Sequence, residues 1–308
     1  MATIATTESA AVTVPPRPKR RGISSWSAWL WVAPTVLLMG IFFIWPFIST
    51  IWLSLGNADT TAFVGLKNYG LIFSNPNLLI VLRNNLIWLV VATILTVGLG
   101  LIVAVLVDRV RIESVIKSAL FIPMAISFVG AGVIWRFMYI YEPANQPQIG
   151  LLNAFISLFH IGPQAWTINQ SINNLMLIVV YVWMWTGFSM VIISAALKGI
   201  PDEIIEAAKM DGASRLTMFW RITIPMIAPT LTVVTITMII NILKIFDVVY
   251  VMTGGNYNTS VVAMEFYNQL FNFGNYGLGS AFAVLLTIVI LPVMYINIRR
   301  LRAEERTR

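Results

Sequence analysis

Long apolar runs alternate with short polar ones along this chain, and within each run the apolar residues are continuous. Strict one-in-two alternation would signal barrel strands, whereas unbroken runs of roughly 18–20 apolar residues signal helices that cross a membrane. Six spans are predicted: Trp29–Leu55, Leu86–Val107, Ala119–Trp135, Asn174–Leu197, Ala228–Phe246 and Leu278–Ile298. The expected fold class is therefore all-α integral membrane with six transmembrane helices. Trp26, Trp29 and Trp31 lie at one end of the first span and Trp52 near the other, where interfacial rings belong. Pro34 and Pro46 predict bends in that span. Bends survive in lipid only where neighbouring helices satisfy the freed carbonyls, so this span is expected to pack inside protein. Gly98, Gly100, Gly130 and Gly132 let backbones approach closely in spans two and three, and Pro123 interrupts the third.

The polar segments divide the chain into a disordered basic tail (1–25), a six-span membrane domain (26–300) and a short carboxyl tail (301–308). A polar connection with Asp59, Lys67 and Arg83 precedes span two, and a charged loop with Asp108, Glu113 and Lys117 follows it. From Arg136 to Asn173 the chain is an aromatic, Pro-containing loop with an interfacial helix expected near Leu151–Phe159. A second loop, Asp247–Tyr276, carries Gly254 and Gly255. Of the 20 Lys and Arg, only Lys67, Arg83, Arg136 and Lys244 fall on one side of the membrane. The positive-inside rule then makes both termini and the loop between spans four and five cytoplasmic, in a multi-pass plasma-membrane protein.

Composition supports this reading: 58% of residues are hydrophobic and 11% charged, against about 25% charged in soluble domains. The net charge of +7 sits in loops and tails, so it reports orientation and not nucleic-acid binding. With no cysteine there is neither disulfide nor thiolate metal site. His160, the single histidine, lies in an external loop and reads as a structural or solvated residue. No H-E-x-x-H, G-x-S-x-G or phosphate-binding G-x-x-x-x-G-K-[ST] occurs, so the chain is not expected to be an enzyme or to bind ATP. The spans contain no Asp or Glu, which argues against a gradient-driven carrier without removing that alternative. A non-transporting scaffold is the other alternative.

The densest charge within the apolar body runs from Lys198 to Pro225. Pro201 suits a first helical position, Asp202 and Glu203 suit the first turn, and Gly212 suits a left-handed cap. Ile204, Ile205, Ala208 and Met210 give an apolar side, and Ala207 with Ala208 leaves a smooth face for another protein. A second helix is expected from Ser214 to Ile222, ended by Pro225. Physics alone fits a membrane-surface helix hairpin equally well. The residues Glu206-Ala207-Ala208, then Gly212, then Ile222-Thr223-Ile224-Pro225 resemble the EAA loop of permease subunits of binding-protein-dependent ABC importers, with Ile224 where the pattern has Leu. The resemblance implies a cytoplasmic coupling helix, in which Glu206, Ala207, Ala208, Gly212, Ile222 and Pro225 dock onto a separate ATPase.

Candidate ligand chemistry lies further on. Asn241, Lys244 and Asp247 fall three apart on one expected helix face; Lys244 either pairs with Asp247 or lines a polar cavity. Span four offers Trp183, Met184, Trp185 and Phe188, either as packing or as plates for a sugar ring. The segment Lys244 to Gly255, together with Phe121-Ile122-Pro123 and Leu197 to Pro201, resembles carbohydrate-uptake permeases of the maltose-transporter type, although Asn256 stands where that pattern has Pro. By position, the resemblance implies that sugar would meet Met124, Phe128, Met184, Trp185, Phe188, Asn241 and Lys244. It also implies a second permease, two ATPase subunits holding ATP and Mg2+, an external solute-binding protein, surrounding lipid, and no cofactor in this chain.

Overall fold

The computed structural model describes residues 25–307 except 109, and of 25–28 and 300–307 the backbone alone. The expected disordered tail therefore falls almost wholly outside the described residues. The chain divides into two compact units, Met1–Ile48 and Ser49–Arg308. The described part of the first is helical: α1 (Ser25–Met39), a π turn (Gly40–Ile44) and the start of α2 (Trp45–Ser54). The π turn inserts its extra residue just ahead of Pro46, so the helix tolerates the proline without breaking. No residue in the apolar window of Trp29–Ser54 is buried. Its large apolar side chains, Leu37, Phe42, Phe43 and Trp45 among them, are exposed.

The second unit contains α3 (Lys67–Ser74), α4 (Pro76–Ile87), α5 (Thr93–Val107), α6 (Glu113–Phe121), α7 (Phe128–Met138) and α8 (Leu151–Ser157). It continues with α9 (Asn173–Lys198), α10 (Asp202–Met210), α11 (Arg215–Met218), α12 (Ile224–Leu243), α13 (Asp247–Met252), α14 (Val262–Tyr267) and α15 (Tyr276–Thr307). Among the described residues the only β pairing is one bridge between Gly56 and Phe63. Among the described residues, five helical stretches are long and apolar enough to cross a membrane, or six if the bent pair α6 and α7 is taken as one span. The α9 helix is the hub: α5, α6, α12 and α13 all pack on it. Small residues make this possible, since a Cβ on Gly100 would lie 2.6 Å from Ser189 Cβ. On its amino-terminal half α9 joins the main core, with Tyr181 among Trp88, Met238, Ile242 and Val248. On its carboxyl-terminal half Met190 and Ile193 pack with Ala104, Ile227 and Val234.

Several expected boundaries move, each for a local reason. Span three is not one helix: it turns by 102° between Ala125 and Phe128. Pro123 breaks the ladder, and Ser127 restarts it by accepting the Gly130 N–H at 3.0 Å. Arg83 lies in α4, whose helix runs through a π turn (Trp88–Ala92) into α5, and not in a loop. Glu113 and Lys117 are likewise helical, in α6. Pro225 does not end a helix, because the π turn Phe219–Thr223 leads directly into α12 and its change of register accommodates the proline. The expected loop Asp247–Tyr276 is largely helical, and α15 runs on to Thr307 through the expected carboxyl tail.

Buried amides fix the far end of the unit. Asn84 donates to the carbonyls of Asn258 (2.7 Å) and Ser260 (2.9 Å), and Asn173 donates to that of Tyr257 (2.8 Å). Asn85 accepts the Val262 N–H at 2.7 Å. The segment they hold has left-handed backbone at Gly254, Gly255, Tyr257 and Asn258. A strained turn of this kind persists only when its surroundings over-determine it, and these amides do so.

Candidate functional site

Two surfaces of the second unit bring the expected site residues together. The first is α10. Its amino end follows Pro201, which occupies the N-cap rather than the first helical turn, and Asp202 and Glu203 oppose the positive dipole end. Its carboxyl end closes with two bonds: Ala213 N–H to the Ala208 carbonyl at 3.0 Å and Gly212 N–H to that of Lys209 at 3.1 Å. That pairing is a Schellman cap, and it requires the φ of +75° that Gly212 adopts. Ser214 then caps α11 by accepting the Thr217 N–H at 3.2 Å. The stretch is therefore a rigid, doubly terminated helix.

Which face α10 offers differs from the expectation. Ala208 is 7% exposed and turns into the subunit. Ala207 and Glu206 face outward, and with Glu203 and Met210 they share the i, i+3, i+4, i+7 stripe. Met210 is 83% exposed, and Leu216 and Trp220 are exposed beyond it. Ile222 is half-buried in the π turn, and Pro225 is exposed. Sequence reasoning missed Leu216 and Trp220, although large apolar residues inside a charged loop were a visible signal. It also missed an ion cluster behind the helix. Glu113 bridges Lys117 and Lys198, the latter at 2.6 Å, and Lys117 also bonds Ser194. The cluster ties α6 to the end of α9, four residues before α10 begins.

The second surface is a cavity of about 250 Å3 lined by Phe128, Tyr181, Asn241, Lys244, Ile245 and Asp247. Phe128 stacks on Tyr181 with ring centres 6.3 Å apart, Tyr181 stacks on Trp185 at 6.1 Å, and Phe188 meets Trp185 edge-on at 5.5 Å. Tyr181, Trp185 and Phe188 recur at helical spacing along α9 and form one aromatic wall. Asn241, Lys244 and Asp247 do not share a helix face, because α12 ends at Leu243 and Lys244 caps it. The break between α12 and α13 brings them to the cavity nonetheless. Asn241 donates to the Thr237 carbonyl at 3.0 Å, which directs its amide nitrogen back along α12.

Of the seven ligand residues expected, Phe128, Asn241 and Lys244 line the cavity and Trp185 and Phe188 back it. Met184 is buried at 3% exposure, and Met124 sits in the short turn that breaks span three, so neither lines it. Tyr181 was missed, although its spacing from Trp185 was legible. His160 is exposed at the end of α8 in a left-handed turn, away from both surfaces. An aromatic wall facing an amide, an ammonium and a carboxylate offers ring stacking and hydrogen bonds, the means of holding a hydroxylated molecule.

Known proteins resemble this chain in sequence and in fold. The chain is 51% identical over 279 residues to the osmoprotective compounds uptake permease protein GgtC of Synechocystis sp., covering 91% of this chain and all of that one. It is 42% identical to the alpha-glucoside transport system permease protein AglF of Rhizobium meliloti, over 90% of this chain and 83% of that one. A crystal structure of a bacterial alginate ABC transporter, in complex with an alginate pentasaccharide-bound periplasmic protein, contains a chain with the same fold. Its TM-score is 0.75 at 19% identity, covering 88% of this chain and 92% of that one. Residues 96–303, which include the cavity, the aromatic wall and α10, match one family along their whole length. The chain belongs to the family of binding-protein-dependent transport system inner membrane components.

Proposed function

We propose that the chain is one of two permease subunits of an ATP-driven importer for a neutral sugar-type solute of the α-glucoside class. The observation that carries this reading is α10: a short helix, begun after Pro201 and closed by a Schellman cap at Gly212, with Glu206, Ala207 and Met210 outward and Ala208 inward. Small and flexible residues ringed by the exposed Leu216 and Trp220 make a surface that a groove on another protein can grip. In this reading two ATPase subunits hold ATP and Mg2+, grip α10 and its counterpart on the second permease, and turn the cavity alternately outward and inward. The chain itself catalyses nothing. An external binding protein delivers the solute, and α10 and both termini are cytoplasmic, as the distribution of Lys and Arg favours. The names borne by relatives that carry osmoprotectants and α-glucosides support the solute class. So does the cavity volume of about 250 Å3, just below the ~300–1,000 Å3 typical of small-ligand pockets.

The chain has no native cysteine, so a single Ala207→Cys thiol reports its neighbour without background. It is expected to cross-link to a P-loop ATPase in the assembled complex. The same complex in liposomes is expected to accumulate labelled maltose only with ATP. Uptake driven by an ion gradient without ATP, and a thiol that meets lipid alone, would overturn the proposal.

A further inference from the structure

Beside the cavity, four aromatic rings touch in a row. Phe246 stacks on Tyr250 at 5.1 Å, Tyr267 meets both of them at 5.3 Å, and Phe271 meets Tyr267 at 5.0 Å. The row begins within the sequence that forms the cavity, since Phe246 lies between the lining residues Ile245 and Asp247. Phe246 and Tyr267 pack against the main core, which fixes the row in place. Tyr250 and Phe271 reach outward and are 45% and 65% exposed.

The polar groups around the row point the same way. Phe271 shares its π turn, Asn268–Asn272, with Asn268, Gln269 and Asn272. Three amides in one turn do not suit a helix face bathed in hydrocarbon, where each would lack water and partners. An interfacial belt accounts for isolated Tyr or Trp side chains and not for a row in mutual contact. Gln269 is spent on Glu265 (2.7 Å), and Asn272 donates to Asn268 Oδ1 (2.8 Å). Asn268 still has an amide nitrogen to give and Asn272 a carbonyl oxygen to accept. Single π turns inside helices recur at functional sites. Flat apolar rings with amide edges match a pyranose, whose C–H faces lie on rings and whose hydroxyls seek amides. At about 250 Å3 the cavity accommodates a small sugar only, so any further ring has to lie outside it; Phe246, next in sequence to the lining residues Ile245 and Asp247, brings this row to the neighbourhood of the cavity.

We propose that Tyr250, Tyr267 and Phe271, with Asn268 and Asn272, form a second saccharide-stacking subsite that continues the cavity and carries the additional ring of a longer solute. The inference rests on the sugar reading of the cavity. It is tested with the complete transporter in liposomes, at saturating external binding protein, by initial rates of ATP-driven uptake of radiolabelled maltose and maltotriose. Phe271→Ala and Tyr250→Ala are each expected to slow maltotriose about tenfold and maltose less than twofold, and Phe271→Trp is expected to restore maltotriose. Structural damage would lower both sugars together. Equal loss for the two sugars, no loss for either, or release of the second permease from Phe271→Ala complexes on size exclusion would overturn the inference. Wild-type complexes that take up neither sugar would instead remove the α-glucoside reading, and the subsite with it.

Discussion

Replacing Gly187 by alanine tests whether α9 is packed as tightly as its hub position demands. A methyl group there would sit 2.0 Å from the Leu120 carbonyl oxygen, 2.7 Å from its carbon and 2.9 Å from Phe121 Cα. Favourable separations start at ~3.5 Å, so span three would have to retreat by roughly 1.5 Å. All three obstacles are backbone, and none can rotate aside as a side chain would. Overpacking against side chains typically costs about 1–3 kcal/mol, and an unyielding main chain places Gly187→Ala near about 3 kcal/mol. Two other glycines calibrate the effect. Nothing lies within 4 Å of a Cβ on Gly98, so alanine there gains ~0.5–1 kcal/mol of helix propensity. Gly100 is intermediate, with Ser189 Cβ at 2.6 Å and Met190 N at 3.0 Å. Thermal unfolding in detergent should rank the variants Gly98→Ala, then wild type, then Gly100→Ala, then Gly187→Ala, the last several degrees below wild type. A Gly187→Ala protein as stable as Gly98→Ala would refute the packing argument.

Three further perturbations address the remaining elements. Glu113→Lys sets three cations together where Glu113 now bridges Lys117 and Lys198, and should impair coupled uptake more than Lys198→Ala; equal rates in the two variants would dissolve the clamp. Asn84→Ala removes the donor to the Asn258 and Ser260 carbonyls, at about 1–3 kcal/mol per group left unsatisfied. Limited proteolysis should then cut within 253–262, and unchanged resistance would count against the amide anchor. Gly212→Leu forces a branched residue to φ +75°, at ~1–2 kcal/mol, while nothing of the chain itself lies within 4 Å of its Cβ. The protein should insert and fold, yet lose at least about tenfold in ATP-driven uptake through bulk on the docking side. Normal uptake would show that no partner approaches there.

What the sequence made legible was governed by local rules. The cap at Gly212 was readable because only glycine occupies that backbone region cheaply, and spans two, four, five and six were readable because lipid demands long apolar helices. The turn in span three was half legible. Pro123 marked the interruption, but the angle depends on Ser127 restarting the helix in a new direction. Prolines misled at Pro46 and Pro225, where π turns absorb the misfit by a register change that no residue pattern announces. Tyr181 lay in plain view at helical spacing from Trp185, but that it faces a cavity and not lipid follows from how α7, α9 and α12 meet. Ala208 could not be assigned inward from its own helix, because both alanines suit either face and the choice is made by what packs behind it.

The bend in span three divides labour between its halves. The α6 half is fastened to α9 twice, by the Glu113 cluster at Lys117, Ser194 and Lys198 and by the Leu120 backbone against Gly187. The α7 half carries Phe128 to the cavity and packs chiefly on α13, beyond the break after Leu243. The α9 helix spans about 39 Å at the usual rise and contains no proline, so a force applied at α10 reaches Tyr181 and Trp185 with little loss. On the proposed reading α6 would move as part of α9, and the bend at 125–128 would be where α7 departs from it, at the cost of the Phe128, Trp135 and Tyr139 contacts on α9. A cross-link between engineered cysteines joining α6 to α9 should therefore leave uptake intact, whereas one joining α7 to α9 should abolish it. Equal effects of the two cross-links would undo this assignment of the moving part.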